Sequence, residues 1–405
     1  MMTVRMPTEM EVERAAEVAA EAFGANTGLE HTREVFGRTA ELFGREFILV
    51  VELDGKLVSS LICTPGPVFV GGGAVTHSAV GFVGTLADYR KRGCAGIMMA
   101  ECAKLLRRQG LNTSSLWPFS YEYYRRYGWE LGSEVRRCVA PSKTMAGIAG
   151  GGSVRWAGQD DAEAIKRVYD SQARAYNAMT QRSQMWWDRI VKLPDLLRQP
   201  DGPGHGCAVH VTGGVVDGYA VCEISRQDEG SRIEIKEVFS QNPVHRRELL
   251  ALVATADLEA ALCLDAPLDD TLIHELSDPR SVNISILPSF QFRVIDPPAA
   301  MEALHCDQTV SGKLSFELAD PVFEGGFRFG VEIDGGRISL CPFDAASAIT
   351  THVQTFAKLY SGYLSPSTAL RLNCVSIQGD ADAVLGLSDR VLATRTPYRS
   401  WLEPG

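Results

Sequence analysis

Two stretches of this chain run through the same order of elements, and that repetition restricts the possible folds more than any other feature. In the first, Thr8 and Glu11 form a capping box, and Val12, Ala15, Ala19 and Phe23 make one apolar stripe closed by Gly24. "EFILVVELDGKLVSSLIC" then reads as two strands joined at an Asp54-Gly55 hairpin turn. A Gly71-Gly72-Gly73 turn leads into the strand "AVTHSAVGFVGTL". "DYRKRGCAGIMMAECAKLLRRQG" follows as a turn and an amphipathic helix, with Ile97, Leu105 and Leu106 apolar. A short strand, "SSLWPF", a tyrosine-rich helix start, "SYEYYRRYGW", and a last strand complete the unit.

The second stretch opens after a linker at Gly150–Gly152 with a strand and a helix from about Ala162. "CAVHVTGGVVDGYAVCEIS" then gives a hairpin, and "RIEIKEVFSQNPVHRRELLALVATADLEA" a strand, a turn and a helix. After "FQFRVIDPPAAMEAL" the periodicity changes. "GKLSFELAD", "FRFGVEIDGGRISLCP" and "ALRLNCVSIQGD" read as strands, with helical stretches around Met301–Leu304 and Thr351–Tyr360. The expected fold class is therefore α+β, with two tandem mixed-sheet domains of one kind followed by a third α+β domain. The expected boundaries are 1–145, 146–295 and 296–405. A chain of 405 residues exceeds what one core supports, which agrees.

A formal net charge of −10 argues against general nucleic-acid binding and suits a cationic small substrate. No run of about 18 apolar residues occurs, and "MMTVRMPTEMEVERAAEVAAEAFG" lacks a signal-peptide core, so no membrane partner is expected. The ten cysteines lie scattered without a CxxC pair, which points to reduced thiols and a cytoplasmic protein. His274 in "LIHELSD" lacks the second histidine of HExxH, and no metal site is expected.

The chemistry concentrates at residues 90–96. Arg90-Lys91-Arg92-Gly93-Cys94-Ala95 fits [Q/R]-x-x-G-x-[G/A], and Gly96 follows. The pattern is weak alone and gains weight from the strand before it and the helix after it. Glycine lets a backbone approach closely, and the unpaired N–H groups of a helix's first turn converge on one spot at the positive end of the dipole. With three basic residues beside them, a pyrophosphate fits there. GxxxxGK[ST] and GxGxxG are both absent. The equivalent turn of the second unit, "SQNPVHRRELL", has no glycine and places Pro243 where amides are needed, so that copy should not bind. Its expected role is structural.

The arrangement resembles motif A of the GNAT acetyltransferases, which hold the pyrophosphate of acetyl-coenzyme A in that turn. The resemblance implies that backbone groups of Val83, Gly84 and Thr85 pair with the pantetheine arm, and it adds Phe119 and Ser120 to the coenzyme contacts. GNAT enzymes often place a tyrosine near the coenzyme sulfur, where a phenol can protonate the leaving thiolate. Tyr121, Tyr123, Tyr124 and Tyr127 compete for that role. The spacing Y-x-x-[YF]-G-[WY] selects Tyr124, with Tyr127 and Trp129 packing.

Taken whole, the chain resembles the Eis-type acetyltransferases: a GNAT domain, a degenerate GNAT-like domain and a sterol-carrier-like domain. "VDGYAV", "FQFRVIDPPAAMEAL" and "FAKLYSGYLSPSTAL" extend the likeness over nearly the whole sequence. The resemblance implies an acetyl-CoA-dependent N-acetyltransferase, a hexamer, and a terminal carboxylate acting as general base, here that of Gly405. Members commonly end on an aromatic residue, whereas this chain ends "YRSWLEPG". If Trp401 matches that aromatic, Glu403 or a relayed water serves instead, and a frayed tail is the plain alternative. The implied acceptor is a primary amine of a cationic small molecule, such as an aminoglycoside or polyamine. A protein lysine is the alternative, and a non-catalytic acyl-CoA or lipid-binding protein the reading from another class.

Overall fold

The computed structural model describes residues 2–24, 27–147, 153–198, 204–227, 230–276, 278–392 and 395–403. The linker glycines Gly150–Gly152 and the terminal Gly405 lie outside them. The chain divides into two compact units. One comprises residues up to 132 and from 290 to the helix ending at Leu392; the other comprises 133–289 and 395–403.

In the first unit a seven-stranded sheet runs in the order Met2–Arg5, Ile48–Leu53, Lys56–Pro65, His77–Thr85, Thr113–Leu116, Gln291–Val294, Glu130–Leu131. Its local signals are those of the sequence. The Glu11 carboxylate accepts from Thr8 N at 2.8 Å and starts the helix Val12–Phe23, and Gly24 ends it at φ 64°. Asp54 and Gly55, at φ 52° and 78°, make the tight hairpin between the second and third strands. The helix Leu29–Phe43 was not anticipated: its inner face is Thr32, Val35, Phe36 and Thr39. The second half of this unit is a five-stranded sheet ordered Arg337–Cys341, Phe327–Asp334, Gly312–Ala319, Ala348–His352, Ser376–Ile377, backed by Val353–Ser361. "ALRLNCVSIQGD" departs from its expected strand. Pro366–Arg371 is helical, because Ser365 accepts from Thr368 N and Pro366 stands at the first helical position, leaving only Ser376–Ile377 as strand.

The second unit has its own seven-stranded sheet, ordered Val154–Trp156, His205–Thr212, Val215–Gln227, Gly230–Ser240, Ala261–Ala266, Glu134–Pro141, Asn283–Pro288. Gly213 and Gly214, both at positive φ, turn its long hairpin. The helices Ala162–Ala173 and Pro243–Ala254 pack against that sheet. The α+β reading with two sheets of GNAT type and a separate third sheet holds. No helix among the described residues is long and apolar enough to cross a membrane.

Candidate active site

The groove originates where two parallel strands separate. His77 is buried and its ring nitrogens sit 3.0 Å from Thr113 Oγ1 and 2.9 Å from Ser115 Oγ, pinning the strands at one end. Pairing covers only His77–Ala79 with Thr113–Ser115. Three residues later Phe82 adopts φ 54°, and the register toward Lys56–Pro65 shifts between Ser60 and Ile62. A non-glycine at positive φ beside a register shift marks a β-bulge, which bends the strand away from its neighbour. Val83, Gly84 and Thr85 therefore present one backbone edge that no described strand covers. A Cβ at Gly84 would lie 2.9 Å from Ala22 Cβ, so glycine lets the helix Val12–Phe23 close against this strand.

The strand leads to the helix Cys94–Arg108, whose N-cap is Gly93 at φ 85° and ψ 0°. That left-handed conformation is the one glycine supplies without strain. Ile97 N returns to Gly93 O at 3.1 Å, leaving the amides of Cys94, Ala95 and Gly96 as the orphan donors of the first turn. That turn contains no acidic residue.

The three basic residues before it divide their tasks. Arg90 sends Nε to Thr85 O at 3.2 Å and Nη2 to Ala22 O at 3.1 Å, so its guanidinium braces the groove wall. The Arg92 guanidinium lies over the Tyr89 ring at 5.2 Å. Lys91 is exposed, at φ 62°, and forms no ion pair among the described residues.

The opposite wall is aromatic. Ser120 caps the helix Tyr121–Arg125 by accepting from Tyr123 N at 3.3 Å, which occupies its hydroxyl. Phe119 is 73% exposed at the rim, with its ring 5.4 Å from Tyr123 and 5.2 Å from Tyr124. The Tyr123 and Tyr127 rings lie 5.5 Å apart, and a Cβ at Gly96 would collide with the Tyr127 hydroxyl. Tyr124 is 3% exposed, and its hydroxyl has no hydrogen-bond partner among the described residues. Burial, followed by the neighbouring Tyr123, pushes the Tyr124 phenol well above its ordinary value.

Between these walls lies a cavity of about 670 Å³. Of the residues singled out in the sequence, Val83, Gly84, Thr85, Arg90, Lys91, Gly93, Cys94, Ala95, Gly96 and Phe119 line it. Arg92, Ser120 and Tyr124 do not, and Gly405 lies outside the described residues. Ala22, Phe23, Tyr89, Tyr123, Arg126 and Tyr127 complete the lining and were missed as walls. Tyr123 and Tyr127 stand one helical turn apart, which puts them on one face.

The second unit's equivalent turn confirms the contrast between the two copies. Pro243 removes one amide from the helix Pro243–Ala254, and Asn242 Oδ1 accepts from Val244 N at 2.9 Å, so two of the first-turn donors are missing or capped. Nearby, His210, Asp217 and His245 bring possible ligand atoms within 4.8 Å of one another. Both Nδ1 atoms face Asp217, at 2.6 and 3.2 Å, while His210 Nε2 meets Glu248 at 3.0 Å and His245 Nε2 meets Asn242 Nδ2 at 3.1 Å. Every ring nitrogen of the pair already has a protein partner.

The tail corrects two expectations. Residues 396–398 are tied down: Asn177 N donates to Thr396 O and Tyr398 N to Asn177 O, at 3.0 and 2.9 Å. Glu403 is wholly buried in the second unit against Arg182, at 2.7 Å. Burial alone would raise its carboxyl, but Arg182 and Arg399 outweigh that and hold it below the ordinary range. Glu403 is thus an ion-paired anchor and neither a frayed end nor an available base.

Comparison with known proteins agrees with this geometry. Residues 3–132 match an acetyltransferase (GNAT) domain family, 178–294 a second acetyltransferase (GNAT) domain family, and 297–400 a sterol carrier protein domain family. The chain belongs to the GNAT N-acetyltransferases. An uncharacterized N-acetyltransferase of Streptomyces avermitilis is 25% identical over 414 residues, spanning 95% of this GNAT chain and 96% of its own. One from Streptomyces griseus is 24% identical, over 72% and 74% of the two chains. Among solved structures, Eis1 from Mycobacterium abscessus shares the fold at a TM-score of 0.76 and 20% identity, covering 100% of both chains. A GCN5-related N-acetyltransferase from Kribbella flavida reaches 0.82 at 19% identity, covering 100% of this chain and 98% of its own. The Eis-type resemblance is borne out in domain order and fold.

Proposed function

We propose that this GNAT enzyme binds acetyl-CoA in the 83–96 groove and transfers the acetyl group to a primary amine of a cationic small molecule. One observation carries the reading: an uncovered strand edge at Val83–Thr85 runs directly into a glycine-capped helix start with unpaired amides. The edge offers hydrogen bonds to an extended amide-bearing arm, and the helix start offers them to its pyrophosphate. Lys91 adds an exposed basic side chain there that forms no ion pair among the described residues.

In the reaction the amine nitrogen attacks the thioester carbonyl, a C–N bond forms, and the C–S bond breaks. The departing thiolate takes the Tyr124 proton, and the proton lost by the acetylated nitrogen returns to the Tyr124 phenolate. Tyr124 suits this step because its hydroxyl proton is not committed to another group among the described residues and burial keeps that proton on the oxygen. The net charge of −10 favours a cationic acceptor.

The test is thiol release from acetyl-CoA with polyamines, aminoglycosides and lysine-bearing peptides. Small cationic amines should stimulate release several-fold over the amine-free rate. Stimulation by the peptides alone would move the acceptor to protein lysine, and no stimulation by any amine would end the proposal.

A further inference from the structure

We infer that the segment from Gln291 to Gln354, which lies outside the coenzyme groove, is the positioning clamp of the tyrosine turn. The inference rests on Tyr124 being the acid. The helix Tyr121–Arg125 is only five residues long, so its own hydrogen bonds cannot define the direction in which its tyrosines point. Side chains from elsewhere do so by taking the carbonyls of this turn. Gln291 Nε2 donates to Tyr121 O at 3.1 Å and to Trp129 O at 3.2 Å. Arg293 donates through Nη1 to Tyr127 O. Gln354 Nε2, from the sterol-carrier-like part, donates to Arg125 O at 3.0 Å.

Arg293 is the centre of this arrangement. It is wholly buried, and its Nη2 lies 3.1 and 3.0 Å from the two carboxylate oxygens of Asp320, also wholly buried. Asp320 is fixed in turn by the amides of Val322 and Phe323, which donate to it at 2.7 and 3.0 Å. The guanidinium faces the rings of Trp129 and Phe323 at 5.3 and 5.6 Å. Gly128, at φ 90°, admits it, since a Cβ there would overlap Nη1. A buried ion pair adds little net stability compared with apolar packing of the same volume. What the planar, forked guanidinium does add is direction: one arm on the carboxylate and the other on the Tyr127 carbonyl. Asp320 and Gln354, in the part of the chain matched to a sterol carrier domain, thereby help to set the geometry of the acid.

Gln354→Leu and the double variant Arg293→Met/Asp320→Leu test this, each alone and combined with Tyr124→Phe. Gln354 is half-buried, so its variant keeps the test intact if the double variant fails to fold. Turnover and the acetyl-CoA Kd are measured on protein shown folded by circular dichroism. The expected result is roughly a tenfold loss of kcat, as for a small misplacement of a catalytic group, with Kd within about twofold of wild type. On a Tyr124→Phe background the same changes should cost nothing further, because both act through one hydroxyl. Unchanged kcat in the folded variants overturns the clamp. So does a full, multiplicative loss on top of a slow Tyr124→Phe. Wild-type turnover in Tyr124→Phe alone would instead remove the acid assignment, and this inference with it.

Discussion

Tyr124→Phe is expected to lower turnover by about 10²-fold or more while leaving acetyl-CoA binding near wild type. The substitution removes one hydroxyl that has no partner among the described residues and leaves the ring, with its contacts to Phe119 and Tyr123 at 5.2 Å, in place. Tyr124 does not line the cavity proposed for the coenzyme, so the Kd has no reason to move. The pH profile gives a second readout. Burial raises the phenol above its ordinary value near 10, so Tyr124 remains protonated through the range in which amines become neutral. Wild-type kcat/KM should rise with pH and show no fall from loss of the acid below about pH 10. A fall beginning near pH 8, or an unchanged rate in the variant, would point to another acid.

Arg182→Met is expected to destabilise the second unit by about 3–5 kcal/mol. Arg182 is wholly buried, with its guanidinium 3.8 Å from the Tyr169 ring centre and 4.6 Å from that of Trp187. It donates to both oxygens of Glu237, at 3.0 and 2.6 Å, and through Nε to Glu403 at 2.8 Å. Removing it takes the paired cation from two buried carboxylates, of which Glu403 keeps Arg399 nearby, and that is the costly way to break a buried pair. At about 2–4 °C per kcal/mol for a unit of this size, Tm should fall by about 6–20 °C in a thermal melt followed by circular dichroism. The Glu403 carboxyl is held below its unfolded value, so its stabilisation is present above about pH 4.3 and lost as the pH falls through the folded value. Wild-type Tm should therefore drop on acidification below pH 4, and the variant should show a smaller drop. A variant Tm within 2 °C of wild type at neutral pH would show that the cluster does not hold this unit together.

The parts of the fold written in local signals were legible. The Thr8–Glu11 cap, the Asp54-Gly55 turn and the Gly93 helix start each need only a few neighbouring residues, and each is present. The helix Leu29–Phe43 escaped notice because threonines interrupt its apolar stripe. Thr32 and Thr39 are buried there by returning their hydroxyls to the carbonyls of Gly28 and Val35, at 3.0 and 2.9 Å. Long-range strand pairing was not legible either. Nothing near Gln291–Val294 announces that it pairs with Thr113–Leu116, or near Glu134–Pro141 that it pairs with Ala261–Ala266.

At the site, residue type misled where geometry decided. Arg90 carries the right charge for a phosphate, yet its guanidinium reaches two carbonyls. Ser120 stands at the right place and serves as a cap. Glu403 looked like an alternative base near the end of the sequence, and its partner Arg182 lies 221 residues away.

The central claim is that the turn at residues 90–96 grips a pyrophosphate. Equilibrium binding of acetyl-CoA against S-acetylpantetheine, which carries the same thioester and arm without the phosphates and the adenosine, tests it most directly. Two charge-assisted hydrogen bonds from first-turn amides, at about 1.5–3 kcal/mol each, predict that acetyl-CoA binds about a hundredfold more tightly or better. Equal affinity for the two donors would contradict the account.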